Sequence, residues 1–111
     1  MDITRVQEVI EDLKDNLTRS GVIVDDMVLF GSWVHGDVTM ESDLDVAIIS
    51  RTFEGKNDFE RAIMTGPAEQ LTIRHFLIPL DIFFISPREY ALLESPFLEV
   101  IFQEGVSVLS L

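Results

Sequence analysis

Asp43 and Asp45, separated by one residue, open the apolar run Leu44-Asp45-Val46-Ala47-Ile48-Ile49. On a β-strand, alternation puts both side chains on one face, with α-carbons about 6–7 Å apart. Two ionised carboxylates about 5 Å apart repel by roughly 3 kcal/mol at an effective dielectric near 20. A domain stable by about 5–15 kcal/mol tolerates that only with an offset. A hard divalent cation held through oxygen provides one, and Mg2+ takes its other ligands from water and phosphate oxygens. A third acid, Asp81, interrupts the otherwise apolar residues 76–85. An ionised side chain there is costly unless paired or metal-bound. If its strand adjoins the one begun by Asp43, three acids meet at one sheet edge. Such a trio is a template for two Mg2+ ions, one lowering the pKa of an attacking hydroxyl and the other offsetting charge on a leaving pyrophosphate.

Gly31-Ser32 follows the apolar stretch Met27-Val28-Leu29-Phe30. Glycine at a strand end lets the backbone approach a phosphate, and N–H groups of a following helical turn can point at the anion. The Ser32 hydroxyl can donate to a phosphate oxygen, and Gly36 lets the loop turn away. Taken singly, each feature has a plain structural explanation. Asp43 and Asp45 fit a solvated strand start or a helix cap, Asp81 a water-facing edge, and Gly31-Ser32 an ordinary turn. Their conjunction favours cation and phosphate chemistry. His35 and His75 read as loop or structural histidines. Trp33 could stack on a base, but fits packing against a helix or a partner chain better.

These residues need a small sheet to hold them. Ile3, Val6, Val9, Ile10, Leu13 and Leu17 recur at helical spacing, and Gly21 can close that helix in the left-handed region. Strands are expected at 27–30, 44–49 and 80–85, with an edge strand within 106–109. Residues 32–42 suit a helical turn plus loop. Gly66-Pro67 is expected to split the helical stretch 58–74 in two. Ser86-Pro87-Arg88-Glu89 has the form of a capping box, and Ser95-Pro96 opens a further helix that Gly105 ends. The sum is one α/β (α+β) domain over residues 1–111, a mixed sheet of three or four strands flanked by helices.

The chain has 20 acidic and 8 basic residues, a formal charge of −12, and no Lys or Arg between Ser20 and Ser50. Such a surface repels a polyphosphate backbone, which disfavours stable nucleic-acid binding. It suits either simple solubility or a basic protein partner. There is no cysteine, hence no thiolate metal site and no thiol nucleophile. The first residues lack the pattern of a secretory signal, and no apolar run approaches the roughly 20 residues of a membrane span. A cytoplasmic domain is expected.

The order Gly31-Ser32-Trp33-Val34-His35-Gly36, then Asp43-Leu44-Asp45, then Leu80-Asp81-Ile82 resembles the nucleotidyltransferase superfamily that includes DNA polymerase β. It is most similar to the minimal nucleotidyltransferase branch. The resemblance covers most of the chain, including the closing residues 97–106. It implies Mg2+-dependent transfer of a nucleoside monophosphate from ATP or another NTP to a hydroxyl. Asp43 and Asp45 would bind metal, Asp81 would help bind it and activate the acceptor, and Gly31 and Ser32 would hold the β- and γ-phosphates. Many small members carry Ala-Arg-Gly where this chain has Val34-His35-Gly36, so a common basic residue is missing near the phosphates. The chain also stops where antibiotic-modifying relatives continue into a helical domain that helps bind the acceptor. That implies an acceptor from another chain or from a second copy. The acidity and the stop make it similar to antitoxins paired with helical HEPN-type toxins, whose tyrosine would receive AMP. Two other readings stay open: a non-catalytic acidic module that neutralises a basic protein, and a free-standing enzyme acting as a homo-oligomer on an aminoglycoside-like molecule.

Overall fold

A computed structural model describes residues 3–35 and 43–109. Four strands form one sheet: β1 (Asp26–Phe30), β2 (Leu44–Ile49), β3 (Leu80–Ile85) and β4 (Val106–Ser107), in the order β3-β2-β1-β4. β1 runs antiparallel to β2 and β4, and β2 runs parallel to β3. Helices α1 (Ile3–Arg19) and α3 (Asp58–Phe76) cover one face; α4 (Pro87–Leu92) and α5 (Pro96–Glu104) cover the other. The short helix α2 (Ser32–His35) follows β1 directly. The four-stranded mixed sheet between helices is the architecture read from the sequence.

The alternation of the strands assigns residues to two cores. Leu44, Val46 and Ile48 point to the α1/α3 side, where Val6, Val9, Ile10, Leu13 and Leu17 supply the α1 stripe. Ala47 and Ile49 point to the α4/α5 side with Val28, Phe30, Leu98 and Ile101. β1 is buried at four successive positions because both faces are covered, which explains its unbroken apolar run. Gly21 has φ +89 and closes α1 as expected. Gly105 acts through space rather than φ: a Cβ there would overlap Val28 Cγ1 and the Ile101 carbonyl.

One expectation fails. α3 is a single helix of 19 residues with Pro67 inside it. Proline removes one N–H and crowds the carbonyl four residues earlier, here that of Ile63, whose side chain is 61% exposed. Water can reach that side of the helix. The opposite stripe, Arg61, Thr65, Ala68 and Thr72, is buried, and its packing holds the two halves in line. At the start of α3, Asn57 Oδ1 accepts from the Glu60 N–H at 2.9 Å and Glu60 Oε1 from the Asn57 N–H at 3.0 Å. The helix ends at Leu77, a non-glycine residue with φ 54.

Arg61 ties four elements together. Its guanidinium donates to the carbonyls of Phe84 in β3 and of Phe53 in the 3-10 turn Arg51–Phe53, both at 3.0 Å. It also pairs with Glu89 of α4 at 2.6 Å. The expected capping box at Ser86 is present, with the Glu89 N–H donating to Ser86 Oγ and the Ser86 N–H to Glu89 Oε1. Burial pushes the Glu89 carboxyl up, but hydrogen bonds from Arg61 and Ser86 outweigh it and hold the group below its ordinary value. No helix among the described residues is long and apolar enough to cross a membrane.

Candidate active site

Three neighbouring strands converge on Asp45. It lies opposite Phe30 of β1 on one side and Asp81 of β3 on the other. Residues paired across adjacent strands are about 4.8 Å apart. Because the β2–β3 pair is parallel and in register, Asp45 and Asp81 also point to the same face, the one that carries Ala47 and Phe83. Asp43, two residues before Asp45, shares that parity and lies exposed just before the strand. The sequence-derived juxtaposition of acids from separate strands is therefore present, with Asp45 half-buried and Asp81 on the exposed outer strand.

Acidic charge dominates this corner among the described residues. The Asp45 carboxyl is pushed up, first by burial, then by the charges of Asp81 and Asp43, and by a hydrogen bond shared with Asp81. Among the described residues, no Lys or Arg forms an ion pair with Asp43, Asp45 or Asp81. A further acid, on α3, feels this charge. Glu69 of α3 is half-buried, and burial and then the Asp81 charge push its carboxyl up. The sequence reading missed Glu69 because it divided α3 at Gly66-Pro67. Counting helical turns without a break from the buried Arg61-Thr65 side would have put Glu69 beside Ala68 and Thr72.

Oxygen-only donors with uncompensated charge fit a hard cation. Burial and the neighbouring charges of Asp81 and Asp43 disfavour the ionised Asp45 carboxylate, and a divalent cation would relieve that. Among the described residues, no group of three or more side chains is closed tightly enough to hold a metal by itself.

Gly31 is needed for this geometry. It has φ +75, a conformation that side chains disfavour, and a Cβ there would overlap Asp45 Oδ2. The glycine therefore serves the carboxylate as well as the turn, a role that the sequence reading did not foresee. Its carbonyl accepts from the Val34 N–H at 3.0 Å, which starts α2 with Ser32 as the first helical residue. Trp33 packs against the α1/α3 core, with its buried Nε1 lacking a partner among the described residues. His75 Nδ1 lies 3.1 Å from Asp12 Oδ1, away from the acidic corner, in keeping with a structural histidine. Gly36 and the rest of the loop through Ser42 lie outside the described residues, as does the His35 side chain.

The aromatic surroundings were also not anticipated. Phe30, Phe83 and Phe97 form a cluster on the same face, with ring centroids 4.9 to 5.9 Å apart. Phe30 is the cross-strand partner of Asp45 and Phe83 lies two residues beyond Asp81, so the carboxylates border an apolar wall.

The nucleotidyltransferase domain family matches residues 6–107. Among curated proteins, no relative matches the sequence. A crystal structure from Sulfolobus solfataricus, provisionally assigned as a nucleotidyltransferase, shares the fold with a TM-score of 0.59 at 18% identity. That likeness covers 94% of this chain and 76% of the other.

Proposed function

Since the chain belongs to the nucleotidyltransferase domain family, we propose that it transfers AMP from ATP to a hydroxyl on a protein, with Mg2+ as the metal and Asp45 and Asp81 as its central ligands. The observation that carries this reading is the in-register pair of Asp45 and Asp81, with which no Lys or Arg among the described residues forms an ion pair. Asp43 adds a third oxygen donor at the start of β2. When bound, the metal would polarise the phosphates and favour the ionised form of the attacking hydroxyl.

The residues of the chain orient the reactants. Gly31 leaves room for the Asp45 carboxylate, and Ser32, at the start of α2, would donate its hydroxyl to the β- or γ-phosphate. The acceptor oxygen forms a bond to the α-phosphorus as the bond from that phosphorus to the bridging oxygen breaks. Pyrophosphate leaves with the electron pair. The hydroxyl proton passes to a carboxylate of the pair, Asp81 being the one open to an incoming group.

We take the acceptor to be a tyrosine of a helical, basic partner of the HEPN toxin type, a reading supported by the charge of −12 and by the family resemblance of the motifs. Incubation of both purified chains with ATP and Mg2+, read by intact mass, tests it. A partner heavier by one AMP, and unmodified with the Asp43→Asn/Asp45→Asn variant, is expected. An unmodified partner within a stable complex would refute transfer. Neutralisation that survives the double substitution would instead support the pure binding module.

A further inference from the structure

β3 is an outer strand of the sheet, and among the described residues no further strand pairs with its outer side. The Leu44 N–H donates to the Pro79 carbonyl and the Ser50 N–H to the Ile85 carbonyl. In a parallel ladder that parity turns the main chain of 79, 81, 83 and 85 toward β2 and that of Leu80, Ile82 and Phe84 outward. Arg61 occupies the Phe84 carbonyl. Among the described residues, nothing bonds to the outward N–H and C=O groups of Leu80 and Ile82. Edge strands are usually guarded by charge, proline, a bulge or a covering element. Here the strand reads Leu-Asp-Ile-Phe-Phe-Ile, and its single charge is Asp81.

A groove of about 400 Å³ runs beside this edge. Residues 82–85 of β3 line it, with Asp58 and Ala62 of α3 on one side and Phe97 of α5 on the other. Phe97 is 43% exposed and packs its ring 4.9 Å from Phe83, so the aromatic cluster that borders Asp45 is also a wall of the groove. Phe59 and Ile63, one turn apart on α3, are 73% and 61% exposed. Among the described residues the groove lining includes an acid, Asp58, and no Lys or Arg, and Asp81 precedes its lining residue Ile82 on β3.

We propose that this groove docks an extended segment of the protein acceptor as an added strand on β3, bringing a hydroxyl side chain to Asp81. The identity of the delivered group rests on the transfer reading above; the docking itself does not. The main chain of the guest pairs with Leu80 and Ile82, alternate apolar side chains enter the groove, and flanking Lys or Arg residues meet the acidic rim. The distance from Asp81 to Ile85 is about 13 Å along a strand, so four or five guest residues fill it. A second copy of this chain suits the edge poorly, because each copy carries a charge of −12.

The probe is the synthetic peptide Lys-Lys-Val-Thr-Val-Tyr-Val-Thr-Lys-Lys, titrated into the 15N-labelled full chain. Shifts centred on the amides of Leu80, Ile82 and Phe84 are expected. Two N-methylated versions separate main-chain pairing from general stickiness. Methylating the alternate amides that face β3 weakens binding about tenfold or more, whereas methylating the other set leaves it within about twofold. Ile82→Pro removes the outward N–H, along with some packing of Ile82 on the core, and reproduces the loss, with folding checked by the 15N spectrum of the variant. Equal binding of both methylated peptides, no binding, or dimerisation abolished by Ile82→Pro overturns the proposal. AMP transfer to a protein that is insensitive to Ile82→Pro sinks the docking while sparing the transfer reading. Peptide docking with no nucleotide incorporated into any acceptor does the reverse.

Discussion

Replacing Arg61 tests whether one buried cation organises the frame around the site. Its side chain is 7% exposed and serves two carbonyls and the Glu89 carboxylate. Arg61→Ala leaves all three acceptors without that donor, with Glu89 keeping only its bond from the Ser86 N–H. Breaking a buried ion pair costs about 3–5 kcal/mol. The Glu89 side chain is 38% exposed, so water repays part of that, and about 2–4 kcal/mol is expected. With a urea slope of roughly 1.5 kcal/mol/M the midpoint falls by about 2 M, read by far-UV circular dichroism. Arg61→Lys keeps the charge but not the planar fork and falls between the two. Arg61→Ala/Glu89→Gln recovers about 1 kcal/mol of the loss by removing the stranded carboxylate. The pH dependence has a definite sign. The folded Glu89 carboxyl titrates below its ordinary value, so its stabilisation is present above about pH 4.5 and is lost as pH falls through the folded value. Arg61→Ala should flatten that acid limb. An Arg61→Ala protein within about 0.5 kcal/mol of the parent, with the limb intact, refutes the reasoning.

Three further outcomes are expected. Gly31→Ala forces a side chain into φ +75 and against Asp45 Oδ2, so stability falls by about 2 kcal/mol and transfer by at least about 100-fold, measured by urea titration and nucleotide incorporation. Asp45→Asn relieves carboxylate repulsion: with EDTA present it is as stable as the parent or up to about 1 kcal/mol more so, and it loses the Mg2+-dependent rise in Tm of the parent. Because the folded Asp45 carboxyl is raised, its contribution holds below the ordinary carboxylate range and fades as pH rises, so the advantage of the variant grows from about pH 4 upward. Leu77→Gly removes a left-handed non-glycine residue whose side chain is 86% exposed, and stabilises by about 1 kcal/mol in thermal unfolding.

The residues that place the acids were legible because strand alternation is local. Asp43, Asp45 and Asp81 each stand out against apolar neighbours, and a parity of two decides their face. The pairing of β2 with β3, and their register, could only be assumed, since it depends on α3 spanning the crossover between them. α3 was also where local rules misled. Gly66 and Pro67 disfavour a helix, yet the buried stripe of Arg61, Thr65, Ala68 and Thr72 overrides them, and Glu69 was lost with that register. The Phe30, Phe83 and Phe97 cluster joins three distant segments, so periodicity within any one of them carried no sign of it. The Ser86 capping box was readable because all its partners lie within four residues.

The two central carboxylates do not share one mounting. Asp45 sits on a strand held on both sides, whereas Asp81 rides the rim, with a neighbour on one side only. Rim strands part first when a sheet loosens, so gentle warming should scatter the pair while the interior remains assembled. Catalytic failure would then precede the collapse of bulk structure.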